Sequence, residues 1–179
     1  MKPDYVRSHL QTLSCALPSV LAIAGIGLAP AWADDINWSN VNGGSFHVGG
    51  NWTGGVVPGA DDLALFNRTR NPDQQLSYTV TCSSSPSTGG VLVGGDRVTL
   101  DLNGNAYLLT NLELVMRVGT SSIASGRLTL IDGVMATITP DAQVEIGGAT
   151  NAPGFLTIST GAQFLGASVL VGHAGPGTL

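Results

Sequence analysis

Short runs of alternating apolar and polar residues recur along this chain, each closed by a glycine. Leu128-Thr129-Leu130 reads apolar, polar, apolar, and Val144-Glu145-Ile146 does the same. Period-two alternation bounded by glycines predicts short strands with one buried face. Each run is followed by Gly, Asp-Gly or Thr-Gly, where a positive φ costs glycine little, so the chain turns sharply after every strand. The runs also resemble one another. Gly126-Arg127-Leu128-Thr129-Leu130-Ile131-Asp132-Gly133 returns 28 residues later as Gly154-Phe155-Leu156-Thr157-Ile158-Ser159-Thr160-Gly161. Each segment runs through an alternating stretch to a second strand, Val144–Gly147 in one and Val169–Gly172 in the other. The pattern starts once more at Gly177-Thr178-Leu179.

Self-similarity at such a spacing predicts a solenoid. Gly119 to Gly126, Gly126 to Gly133, Gly147 to Gly154 and Gly154 to Gly161 are each seven residues apart, whereas Gly133 to Gly147 is fourteen and Gly161 to Gly172 eleven. The strands thus keep register while one connection changes length, as repeat proteins tolerate. Approximate copies span 96–125, 126–153 and 154–176, with a truncated start at 177–179; the copy from Asp96 fits with a one-residue insertion. A strand–turn–strand unit of this size buries its apolar face only by stacking on the next copy. The expected fold is therefore all-β, a right-handed parallel β-helix, with Leu128 over Leu156, Leu130 over Ile158 and Thr129 over Thr157. The handedness follows from the rule for parallel crossovers. An antiparallel sandwich with hairpins at the glycines is the competing fold, but it leaves the position-by-position match of the copies unexplained.

The chain before the repeats is different. Lys2 and Arg7, the apolar run Ala16–Leu28 and the small-x-small triplet Ala31-Trp32-Ala33 mark residues 1–33 as a cleaved secretory signal peptide. Residues 34–67 hold Trp38, Phe46, Trp52 and Phe66, as expected of an N-terminal cap over an open solenoid end; Leu63 and Leu65 begin the first regular strand. The solenoid is assigned to 68–179. Tyr78 and Val80 share one face of a strand at Leu76–Cys82, a Ser/Pro/Gly loop follows at Ser83–Gly90, and Val91–Gly94 returns to strand.

Charge narrows the function. Removing residues 1–33 takes away Lys2, Arg7 and Asp4, leaving five Arg against eleven Asp and Glu, with no Lys. That balance argues against nucleic acid as a partner, which needs a basic face. No stable membrane insertion of the mature chain is expected. Cys82 is the one cysteine left, so no internal disulfide forms, and a structural thiol is expected there.

Acidic residues are the natural catalytic candidates, since carboxylate pairs serve as general acid and base. Asp101, Asp132, Asp141 and Glu145 project from strands or turns. Asp132 precedes a turn glycine, a common structural place for Asp, and the next copy has Thr160 there, so no carboxylate ladder continues. His47 and His173 lack ligand spacing. Gly94-Gly95-Asp96 is a poor fragment of a calcium-binding repeat, and Asp61-Asp62 fits turn capping better than calcium. Trp38 and Trp52 suit packing better than a sugar-stacking platform. Asn37, Asn51 and Asn67 match the glycosylation pattern by coincidence. No catalytic, cofactor-binding or metal-ligating residue is assigned, and no enzyme activity is expected.

The order Trp38…Gly50-Asn51-Trp52…Pro58-Gly59-Ala60-Asp61-Asp62…Phe66, with the Gly-x-Leu-Thr-Leu/Ile-x-x-Gly repeats, resembles the start of bacterial autotransporter passengers and proteins with autotransporter-associated β-strand repeats. The resemblance covers most of 36–179. It implies export to the cell surface and a display or adhesion role, with further solenoid repeats or a translocator domain beyond Leu179 as partners. Its departure is the lack of a translocator barrel, which would need many amphipathic strands of about ten residues. The chain is then expected to be a fragment, a truncated product or a protein secreted another way. The alternative is a polysaccharide-binding or polysaccharide-cleaving β-helix.

Overall fold

The computed structural model describes residues 34–151 and 153–179; the expected signal peptide, 1–33, lies outside them. The chain winds through about five turns of a parallel β-solenoid. An incomplete first turn holds β1 (Asp35–Asn37) and β2 (Gly44–Ser45). The next turns hold β3 (Leu63–Phe66), β4 (Ser77–Thr81) and β5 (Ser87–Thr88), then β6 (Gly90–Val93), β7 (Arg97–Asp101) and β8 (Ala106–Leu109). They are followed by β9 (Leu114–Val118), β10 (Gly126–Ile131) and β11 (Gly133–Thr137), then β12 (Gln143–Ile146), β13 (Gly154–Ile158) and β14 (Ala162–Leu165). The last strands are β15 (Ser168–Val171) and β16 (Gly177–Thr178).

These strands stack into three sheets: sheet I, β1-β3-β6-β9-β12-β15; sheet II, β2-β4-β7-β10-β13-β16; sheet III, β5-β8-β11-β14. Every ladder between them is parallel, which excludes the sandwich. Leu128 pairs with Leu156, Thr129 with Thr157 and Leu130 with Ile158, the register the repeat implies. Alternation sends one set of side chains inward as continuous columns. Ile36, Ala64, Val91, Met116 and Val144 form one such column in sheet I; Tyr78, Val98, Leu128 and Leu156 form another in sheet II. All nine are buried.

Three details differ from the sequence expectation. A full turn carries three strands, not two, because the alternating stretch between the two expected strands is itself β11 or β14. The aromatic segment does not merely cover the end: β1 and β2 already pair with β3 and β4, so the ladders start before Leu63. The copy from Asp96 carries two extra residues at its corner, not one. Asp101 pairs with Ile131 and Ala106 with Val134, so four residues stand where the next turn has two. The longer corner sets Asn103 and Gly104 at φ 49° and 77° and buries Leu102. A bulge in β9 adds a further residue, Val115, against β12.

The N-terminal end is closed by rings. Trp38 and Trp52 meet edge-on with centroids 4.9 Å apart, and Phe46 contacts both Trp52 at 5.0 Å and Tyr107 at 5.5 Å. Each indole N–H donates to a backbone carbonyl, Trp38 to Asn40 and Trp52 to Phe46. An apolar ring with a satisfied N–H suits a buried cap.

Candidate functional site

The carboxylates singled out by sequence do not converge. Asp101 closes β7 and accepts a hydrogen bond from the Asn103 N–H at 3.0 Å, so it shapes the corner turn. Asp132 sits exposed in the β10–β11 turn at φ 51°. Asp141 is exposed in the turn before β12, between sheets III and I. Glu145 lies on the outer face of sheet I. An acid/base pair needs two such groups facing one bond. Asp101 and Asp132 share the corner between sheets II and III on neighbouring turns, where Asp101 is taken up by its own turn, while Asp141 and Glu145 lie elsewhere on the coil perimeter.

Glu145 is nevertheless distinctive. It is 8% exposed, because Arg117 and His173 from the neighbouring turns cover it. Arg117 Nε donates to Glu145 Oε2 at 2.8 Å, and His173 Nε2 stands 3.5 Å from Oε1. Arg117 and Glu145 are register partners, so the pair clips two turns together. His173 is thus a contact between turns, while His47 sits between Ser84 Oγ (3.0 Å) and Ser83 Oγ (3.3 Å). Among the described residues no group of three or more His, Cys, Asp or Glu is placed to hold a metal ion.

Asp62 caps a turn: Oδ2 accepts from Gly59 N at 2.7 Å and Oδ1 from Asp34 N at 3.3 Å. Asp61 and Asp62 line a groove of about 250 Å³ on sheet I, floored by Leu63, Leu92 and Leu114 and edged by Asp35 and Arg117. Asp62 spends both carboxylate oxygens on turn capping, and Arg117 holds Glu145 through Nε. The groove therefore offers an apolar floor more than reacting groups.

Trp38 and Trp52 are 0% and 2% exposed, so neither offers a face to a sugar. Cys82 is buried, and burial, then the nearby Asp101 charge, pushes its thiol up to about 12. A thiol held protonated is a poor nucleophile. Asn51 and Asn67 spend their side-chain amides on the backbone at Ser45 and Gly95.

Sequence reasoning met Asp96 only as the start of a copy and as part of a poor calcium-binding fragment. It is fully buried, and its carboxylate accepts from Arg68 N, Thr69 N (2.7 Å), Thr69 Oγ1 (2.7 Å) and Tyr78 Oη (2.6 Å). Burial and then the charge of Asp96 push the Tyr78 hydroxyl above the ordinary tyrosine range. Register held the clue: Asp96 precedes Arg97 as Gly126 precedes Arg127, so an acid stands in a column that is otherwise glycine in β10 and β13.

No protein-family model matches the chain, and no curated protein or solved structure matches it either.

Proposed function

We propose that the chain is an exported, surface-displayed β-solenoid, the N-terminal part of an autotransporter-like passenger or adhesin, whose work is display rather than catalysis. The observation that carries the reading is the uninterrupted stacking of sheets I and II through six strands each. Such a ladder satisfies backbone groups turn by turn and makes a stiff rod, which holds a surface away from its anchor and resists proteolysis. The basic start and cleavage triplet of residues 1–33 supply the export half of the reading.

The far end of the rod supports a stacking partner. Val169 and Val171 continue the inward columns of Val144 and Ile146, yet they are 38% and 47% exposed. Further solenoid turns beyond Leu179 would cover them. The test is expression of the full chain in a Gram-negative host, with protease treatment of intact cells and N-terminal sequencing of the product. The expected result is a chain outside the cytoplasm beginning at Asp34. A cytoplasmic product retaining Met1 would overturn the proposal.

A further inference from the structure

Three of the five arginines between residues 34 and 179 start from one point on the solenoid. Arg97 and Arg127 are register partners on β7 and β10, ~4.8 Å apart along the axis. Both point outward, since Val98 and Leu128 beside them are buried. The Arg68 N–H donates to the Asp96 carboxylate, and the Arg127 N–H donates to the Asp96 carbonyl at 2.9 Å. Arg68, Arg97 and Arg127 thus meet around a single residue, one from each of three successive turns. Among the described residues, the ion pairs are those of Arg117 and His173 with Glu145; none of the three arginines has a carboxylate within 4.0 Å. The Asp96 oxygens are turned inward and occupied by their four donors.

Like charges in register across a sheet are unfavourable, yet here two guanidiniums are held in place by neutral groups. Arg97 Nε donates to Gln75 Oε1, and the Gln75 amide is itself pinned to the carbonyls of Gly95 and Ser125. Arg127 lies 4.5 Å over the Phe155 ring. Neither partner neutralises the charge, and both reduce the ordering that a ligand would otherwise impose. Beside the pair runs an outward row of hydroxyls, Thr79, Thr99, Thr129 and Thr157, one per turn. Arg97 and Gln75 also line a groove of about 260 Å³ with Pro72, Ser125, Asn151 and Pro153.

We propose that this edge of sheet II binds a linear acidic polysaccharide laid along the solenoid axis. Arg97 and Arg127 take successive carboxylate or sulfate groups through their forked N–H donors, Arg68, in the neck loop of the preceding turn, adds positive charge beside them, and the threonine row receives sugar hydroxyls. The acidic balance of the remaining chain disfavours indiscriminate polyanion binding. The proposal deepens the display reading and rests on it for its setting. Its test uses purified full chain, whereas the export test uses cells, so the two fail separately.

The probes are polygalacturonate and dextran sulfate, with neutral dextran and oligothymidylate as comparisons, measured by calorimetry at low and moderate salt. The expected result is binding to one or both acidic polymers, weakened by salt, absent with neutral dextran and at least tenfold weaker in R97Q/R127Q with unchanged circular dichroism. Which polymer binds tells carboxylate from sulfate. If R97Q/R127Q does not fold, phenylglyoxal modification of wild-type Arg97 and Arg127 reads the same contact, and the bound polymer should slow it severalfold. Three outcomes overturn the proposal: no binding to either acidic polymer, binding untouched by the substitutions or without arginine protection, or equal binding of oligothymidylate.

Discussion

At the scale of single residues, the buried carboxylate of Asp96 joins two turns. It accepts hydrogen bonds from the loop after β3 and from Tyr78 on β4, so removing it orphans donors on both. Each buried donor left without a partner costs about 1–3 kcal/mol, and bonds to a charged acceptor lie at the strong end. Asp96→Ala is expected to lower stability by about 3 kcal/mol or more in urea unfolding. A loss under about 0.5 kcal/mol would show that the network is ornamental. Cys82 yields a prediction about pH. Its folded pKa, about 12, lies above the ordinary thiol value of 9.0, so between those values the unfolded chain holds fewer protons than the folded one. Stability is then flat below pH 9 and falls as pH rises through the window, by up to about 1.4 kcal/mol per pH unit for one group. The buried Tyr78 and Tyr107 hydroxyls, also pushed up chiefly by burial, add to the fall above pH 10. Unfolding titrations at pH 7, 9 and 11 check this, and Cys82→Ala should shallow the first part of the slope.

At the scale of elements, the neck between sheets I and II decides whether turns can stack. The chain leaves β12 at Gly147 and returns at Gly154. A Cβ on Gly154 would stand 2.2 Å from the Val118 carbonyl oxygen and 2.4 Å from Gly147 N, both backbone atoms. Gly154→Ala is expected to destabilise by several kcal/mol, whereas Gly50→Ala, with nothing within 4 Å of the added atom and no positive φ, should shift stability by under about 0.5 kcal/mol. Thermal melts of the two variants compare them directly, and equal melting temperatures would refute the close approach. The necks also explain why two seven-residue spacings were legible as a repeat but not as structure. Gly147 to Gly154 is a loop that closes on itself, while Gly154 to Gly161 is a strand with its turn. The strands β10, β12 and β13 were readable because their inward residues are large and alternate with polar ones. β11 was visible only as an alternating stretch, not as a strand, because its outward residues Val134 and Ala136 are apolar and blur the period. Arg97 and Arg127 begin matching copies and were visible in register, but Arg68 comes from an irregular loop with no period to reveal it.

At the scale of the whole molecule, the two ends of the apolar interior are unequal. The first turns are sealed by Trp38, Phe46, Trp52 and Tyr107, all buried, while the inward residues Ile158, Val169 and Val171 are exposed at the other end. In a solenoid each turn is stabilised by its neighbours alone, so stability varies along the axis instead of being shared evenly. Turns covered on both faces open only with the whole, and a turn covered on one face opens at lower cost. Amide hydrogen exchange should therefore be slowest in β4, β7 and β10, and fastest in β14, β15 and β16. Raising the protein concentration until chains associate through the apolar end should slow exchange in β13–β15 at least tenfold and leave β4 and β7 unchanged. The gradient and its response to covering are separate consequences of one cause, the exposed columns of Val169 and Val171. Uniform exchange along the axis would mean that the chain opens as a single unit, and stacking of independent turns would then fail as the account of its stability.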